Sequence, residues 1–255
     1  MGQKHAEAVI EGEGIPILLD ISQEALDHAM DGLKKSFPDA KIGTYKADIT
    51  NRESLVQIRE DILEKYGHID ILINNAANNP KVEDKGDNFG NIRFDNFPIE
   101  IWNADILVGL TGAFLCAQVF GTAMEEAHSG VILNISSDLG IIGPDQRIYR
   151  KDGLEEKDQT IKPVTYSVIK HGLLGLTKYL ATYWADKGIR VNAVCPGGIF
   201  NGQDEQFLAK LTNLIPMGRM ADKDEYKATV LYLISEASSY MTGSTVIVDG
   251  GRTCW

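Results

Sequence analysis

Short β-rich runs alternate with long amphipathic stretches along this chain, and that rhythm constrains its fold more than any other feature. IPILLD at 15–20, IGTYKAD at 42–48, IDILINN at 69–75, GVILNIS at 130–136, IRVNAVC at 189–195 and STVIVD at 244–249 read as strands. A helix is expected over 3–13, before the first of them. TNRESLVQIREDILEKYG opens with Thr50 and Glu53 in capping-box register and closes at Gly67. The segment 98–127 is long and mostly apolar, 162–188 carries Pro163 near its start and Gly188 at its end, and 222–238 precedes the last strand. Strands separated by helices pair in parallel, with helices on both faces. The fold class is therefore α/β, a doubly wound parallel sheet. One domain over the 255 residues is long enough to bury a core. Residues 78–97 and 138–162 read as irregular.

Composition narrows the partners. A formal net charge of −11 argues against nucleic acid or an anionic membrane, which require clustered Lys and Arg. No apolar run is expected to span a bilayer, and MGQKHA is too polar for a signal peptide. Cys116, Cys195 and Cys254 are odd in number and far apart, as expected of reduced thiols in a cytoplasm. The five histidines have no ligand spacing, so no metal is expected.

Chemistry points to YSVIK, where Tyr166 and Lys170 stand one helical turn apart. A phenol titrates near pH ~10; a neighbouring ammonium favours phenolate and makes the group usable as an acid or base near neutrality. Such pairs are common on helix surfaces, and spacing alone does not single this one out. Its company does. Ser137 ends the strand in VILNISS, INNAA at 73–77 ends another, and CPGGI at 195–199 a third. Parallel sheets bind ligands at that carboxyl edge.

Together these residues resemble the short-chain dehydrogenase/reductase family over nearly the whole length, from Gly2 to VDGG at 248–251. The resemblance implies a Rossmann-like fold and a nicotinamide cofactor. It implies that Tyr166 donates or accepts the proton at the substrate oxygen, and that Ser137 hydrogen-bonds the same oxygen. Lys170 would hold the nicotinamide ribose and depress the tyrosine pKa. Asn75 and Ala76 match the adenosine-side element, Asp48 and Ile49 the pair at the adenine, and Pro196, Gly197 and Ile199 the loop beside the nicotinamide. Asp20, ending a strand, would accept from the ribose hydroxyls and repel a 2′-phosphate, which favours NAD over NADP. A homo-oligomer, dimer or tetramer, built on the long helices is also implied.

Three departures from the family pattern bear on function. Gly2 stands 18 residues before Asp20, close to the roughly 20-residue interval of the dinucleotide fingerprint. Gly2 therefore reads as its last glycine, with the first strand and most of the glycine-rich turn absent; a misassigned start or a truncated chain is the expected reason. Gly109 in VGLTG replaces the family's usual asparagine. Ser137 and Tyr166 lie 29 residues apart, more than twice the usual interval, so an insert at about 138–165 is expected beside the active site. Its Arg147, Arg150 and Lys151 could meet an anionic substrate, although five acids nearby suit a solvated loop equally well. The insert and the PGGIFNGQDEQFLAKL segment at 196–211 resemble the branch found in flagellin-modification and nonulosonic-acid sugar pathways.

The expected function is NAD-dependent interconversion of a secondary alcohol and a ketone, on a sugar or sugar-phosphate derivative. Two alternatives remain open: a catalytically silent dinucleotide-binding or scaffold homologue, and an extended nucleotide-sugar epimerase, which generally carries a larger C-terminal domain.

Overall fold

In GVILNI at 130–135 only Asn134 is polar, and all six residues are buried. Such a run suits a strand covered on both faces. In the computed structural model, which describes residues 1–78 and 93–255, it lies inside a parallel sheet. Most of the irregular stretch 78–97 falls outside the described residues.

The elements in chain order are α1 (Gly2–Glu11), β1 (Ile17–Asp20), α2 (Gln23–Ser36), β2 (Gly43–Lys46), α3 (Arg52–Tyr66) and β3 (Ile71–Asn74). After these come α4 (Ile99–Ile106), α5 (Gly112–Ala127), β4 (Gly130–Ile135), α6 (Val164–Tyr183), β5 (Ile189–Pro196), α7 (Glu205–Thr212), α8 (Lys227–Ile234) and β6 (Thr245–Val248). A π-helical turn, Leu107–Thr111, joins α4 to α5 in one continuous helix. By length and composition this helix could cross a bilayer, contrary to the sequence expectation. Here it packs within the fold: Ala117 and Met124 bury against Ile132, and Cys116, Val119 and Phe120 against Leu55 and Ile58.

All strand pairs are parallel. β3, β4, β5 and β6 form one sheet in that order, while β1 and β2 form a separate pair. The sheet is thus divided between β1 and β3. A cavity of about 590 Å³ lies there, lined by Ile17, Leu19, Ile71, Ile73, His5 and Val9 among others. Alternation along the strands separates two cores. Leu133, Ile135 and Val194 meet α1 and α8 through Ala8, Val230 and Leu233. On the other face Ile132 and Val191 meet α5 and α6 through Met124, Leu180 and Trp184.

Local chemistry corrects some boundaries. Thr50 does not cap α3; its hydroxyl donates to Asp48 Oδ1 at 2.7 Å. Asn51 is the cap, accepting from Ser54 N at 3.0 Å, because its carboxamide reaches the free amide of the first turn. Gly67 ends the helix with φ of +85°, a left-handed conformation that favours glycine. The final helix is shorter than the apolar pattern suggests, since residues before Lys227 form a turn in which Glu225 accepts from Asp222 N and pairs with Arg219.

The segment 138–162, part of the expected insert, is folded onto the body. Within it lie short 3₁₀ turns at Asp138–Gly140, Gln146–Tyr149 and Glu156–Asp158. Ile148 is buried with Leu211, Ile215 and Met220, and the Tyr149 and Phe207 rings lie 5.5 Å apart.

Candidate active site

A cleft of about 1130 Å³ opens along the carboxyl ends of the strands, the edge where open parallel sheets bind ligands. Strand ends and α6 supply its walls. Ser137, Tyr166 and Lys170 line it together with Pro196, Gly197 and Ile199, and Asp20, Asp48, Ile49, Asn75 and Ala76 line it too.

Lys170 is buried on α6, and its Nζ donates to the carbonyl of Ile135, at the end of β4, at 2.8 Å. Ser136 Oγ returns a bond to the Lys170 carbonyl at 2.7 Å. Strand end and helix are thereby locked in register. A Cβ on Gly140 would stand 2.4 Å from Ser136 Oγ and 2.9 Å from the Lys170 carbonyl oxygen, so only glycine lets the chain after Ser137 lie this close. Beneath, Asn74 Nδ2 donates to Asn134 Oδ1 at 2.8 Å, and Asn134 Nδ2 to Thr177 Oγ1 at 2.8 Å. That buried chain ties β3, β4 and α6 together under the site. Asn134, polar within an apolar run, was its signal in the sequence.

Ser137 Oγ gives its proton to Asp138 Oδ1 at 2.7 Å and accepts from Leu139 N at 3.2 Å. Burial pushes the Tyr166 phenol above its ordinary value, and its hydrogen bond with Ser137 acts in the opposite direction. Lys170 Nζ stands 5.7 Å from the centroid of the Tyr166 ring, and burial lowers that ammonium to about 8. The depression of the phenol expected from Lys170 does not appear: burial dominates, opposed by the Ser137 hydrogen bond, and holds the tyrosine as the protonated acid.

The expected residues are not all on the cleft. Gly2 lies under Asn75, where a Cβ would come 3.2 Å from Asn75 Nδ2, and it lines the neighbouring cavity between β1 and β3. Arg147 turns to solvent with its side chain 81% exposed. Adjacent Asp145, which caps the 3₁₀ turn, holds it through Nε and Nη2 at 2.9 and 2.7 Å. Arg150 and Lys151 do line the cleft, with Arg150 paired to Glu156 at 2.9 Å. Gly109 sits in the π turn, where a Cβ would meet Ile169 at 2.8 Å; Ile169 fills the space that a larger residue would need. No local pattern pointed to Arg252, whose Nη1 donates to Asp138 Oδ2 at 2.7 Å, or to Lys162, whose Nζ stands 3.8 Å from the Tyr166 ring centroid.

A dinucleotide fits these residues. Asp20 is exposed on the cleft, where its Oδ1 accepts from Ser22 N at 2.9 Å. Met1, Gln3 and Lys4 bring the start of α1 to the cleft, and a helix N-terminus favours phosphate. Gly197 lines the other end; its N donates to the Val248 carbonyl at 2.8 Å and a Cβ there would come 2.8 Å from Asp249 Cα, so this wall of the cleft lies close against the end of β6.

A family model described as Enoyl-(Acyl carrier protein) reductase matches residues 1–253. The chain belongs to the short-chain dehydrogenase/reductase family. A 3-oxoacyl-(acyl-carrier-protein) reductase FabG of Thermotoga maritima is 32% identical over 94% of the chain and 88% of its own length. The post-translational flagellin modification protein A of Campylobacter coli is 28% identical over 98% of the chain and 93% of its own length. Among solved structures, a gluconate 5-dehydrogenase from Burkholderia cenocepacia J2315, in complex with NADP and tartrate, superposes with a TM-score of 0.80 at 25% identity. That alignment covers 99% of this short-chain dehydrogenase/reductase chain and 90% of the other.

Proposed function

We propose that the protein is an NAD-dependent oxidoreductase that interconverts a secondary alcohol and a ketone on a sugar derivative. One observation carries this reading: Ser137, Tyr166 and Lys170 line the same cleft as Asp20. Bound nicotinamide would supply or accept the hydride. The chain's own groups do the rest.

Tyr166, protonated in the free protein, donates its phenolic proton to the substrate oxygen as a ketone is reduced. In the oxidising direction it must first lose that proton. Ser137 meets the same oxygen, and its hydroxyl must then turn from Asp138 Oδ1. Lys170, anchored on the Ile135 carbonyl, would meet the ribose hydroxyls and steady the phenolate as it forms. The gluconate 5-dehydrogenase was seen with NADP, so the fold does not decide the cofactor. Asp20 favours NAD, because its carboxylate repels a 2′-phosphate. The sugar assignment draws on the flagellin modification and gluconate relatives.

The test is Tyr166→Phe, assayed by NADH formation and consumption on a panel of polyols, sugar acids and ketoses. Loss of turnover by about 10²–10⁴-fold, the range for general acid–base groups, with NADH affinity retained, is expected. A variant that keeps its rate contradicts the assignment. The divided sheet between β1 and β3 favours one second reading, a cofactor-binding protein without turnover. NADH binding with no turnover on the whole panel would select it.

A further inference from the structure

One corner of the cleft holds cations that the proton transfer does not use. Lys162 lies at the end of the insert, with its Nζ 3.8 Å from the Tyr166 ring centroid. Arg252 follows β6, is 7% exposed and lines the same cleft. Asp138 takes its Nη1, whereas its Nε is buried without a hydrogen-bond partner. The other oxygen of Asp138 already accepts from Ser137 Oγ and Leu139 N. Lys162 and Arg252 thus both act on this one carboxylate.

Cations withdrawn from water are costly unless they are paired. Burial lowers Lys162 to about 8, with Asp138 acting against that shift. Its backbone is braced: Lys162 N donates to Gln146 Oε1 at 2.9 Å and Gln146 Nε2 to the Lys162 carbonyl at 3.4 Å. A buried Ile148 fastens the same part of the insert to the body. An ammonium on a fixed backbone and a guanidinium with a spare donor are suited to an oxyanion.

We infer that Lys162 and Arg252 form an anion subsite beside the Ser137–Tyr166 hydroxyl pair, and that it takes a carboxylate or phosphate of the substrate. The inference rests on that pair being where the substrate oxygen sits. It moves anion recognition from Arg147, which is turned to solvent, to residues on the cleft wall. The substrate class is then a sugar acid or sugar phosphate, with neutral polyols as poor substitutes.

The test is calorimetric titration of the full chain, alone and with NADH, using tartrate, threitol and inorganic phosphate as probes. Threitol has the carbon skeleton of tartrate with both carboxylates replaced by hydroxymethyl groups. Tartrate is expected to bind at least about tenfold tighter than threitol, ~1.4 kcal/mol. Lys162→Gln and Arg252→Gln should each remove about tenfold or more of tartrate affinity, while Arg252→Lys retains most of it. Phosphate that binds in place of tartrate, and is lost in Lys162→Gln, assigns the anion as a phosphate. Equal affinity for tartrate and threitol without phosphate binding overturns the inference, and so does Lys162→Gln that binds these anions like the wild type. If Arg252→Gln fails to fold because Asp138 loses its partner, Lys162→Gln decides alone. Turnover is not needed for this readout. A chain inert on every alcohol but tartrate-binding keeps the subsite and loses the proposed reaction, whereas turnover of neutral polyols without anion binding does the reverse.

Discussion

His5 lies on α1 at 4% exposure, with neither ring nitrogen hydrogen-bonded. Burial, and then the Met1 amino group, lower its pKa from 6.5 to about 4. Between those values the unfolded chain binds a proton that the native state refuses, so stability falls as pH drops through 6.5 towards 4. The loss is on the order of 3 kcal/mol, at about 1.4 kcal/mol per pKa unit. His5→Leu should flatten that part of the acid limb, seen as a smaller change in urea midpoint between pH 6.5 and pH 4. An unchanged pH dependence would show that His5 is not the titrating group. Tyr166 illustrates the same physics with the opposite charge. Its motif was plain in the sequence, but its protonation was not, because desolvation depends on what covers the ring and spacing does not report that.

At the scale of elements, the helix Ile99–Ala127 shows how packing settles a departure from the family pattern. Its π turn holds Gly109 against Ile169, so the distortion exists without asparagine. Gly109→Asn should destabilise the protein by about 1–3 kcal/mol, the usual cost of overpacking. Ile169→Ala in the same chain should recover part of that loss, as measured by urea denaturation. Full stability of the single variant would mean that Ile169 does not set the limit. The strand runs were legible because apolar, β-branched residues cluster between turn residues, and each strand was found within two residues of its expected ends. The helices Gln23–Ser36 and Glu205–Thr212 were not drawn from the sequence. The second has only eight residues, too short for periodicity to distinguish it. Caps were less legible still: Thr50 and Asn51 are both good candidates, and the choice falls on whichever oxygen Asp48 does not engage.

For the whole molecule, the cleft was legible as a set of strand ends, since topology sends every parallel strand to one edge. What sequence could not supply were the long-range meetings. Arg252 reaches Asp138 across 114 positions, and no local pattern encodes that. The outer surface also carries a consequence. Leu107, Phe114, Val168, Tyr179 and Tyr183 are exposed on the helices flanking the site, and the rings of Tyr179 and Tyr183 stack at 5.9 Å. Apolar surface of this kind is typical of interfaces, and we expect copies of the chain to associate through it. Light scattering should give a multiple of 28.0 kDa, reduced by Phe114→Glu or Tyr179→Glu. A wild-type mass of 28.0 kDa would contradict this.

The central claim, an NAD site running from Asp20 to Tyr166, is tested most directly by calorimetric titration with NADH and NADPH, using the wild type and Asp20→Ala. NADH should bind at least about tenfold tighter than NADPH, ~1.4 kcal/mol, and Asp20→Ala should narrow the difference. NADPH binding as tightly as NADH, or neither cofactor binding to a chain that melts cooperatively, would contradict the account.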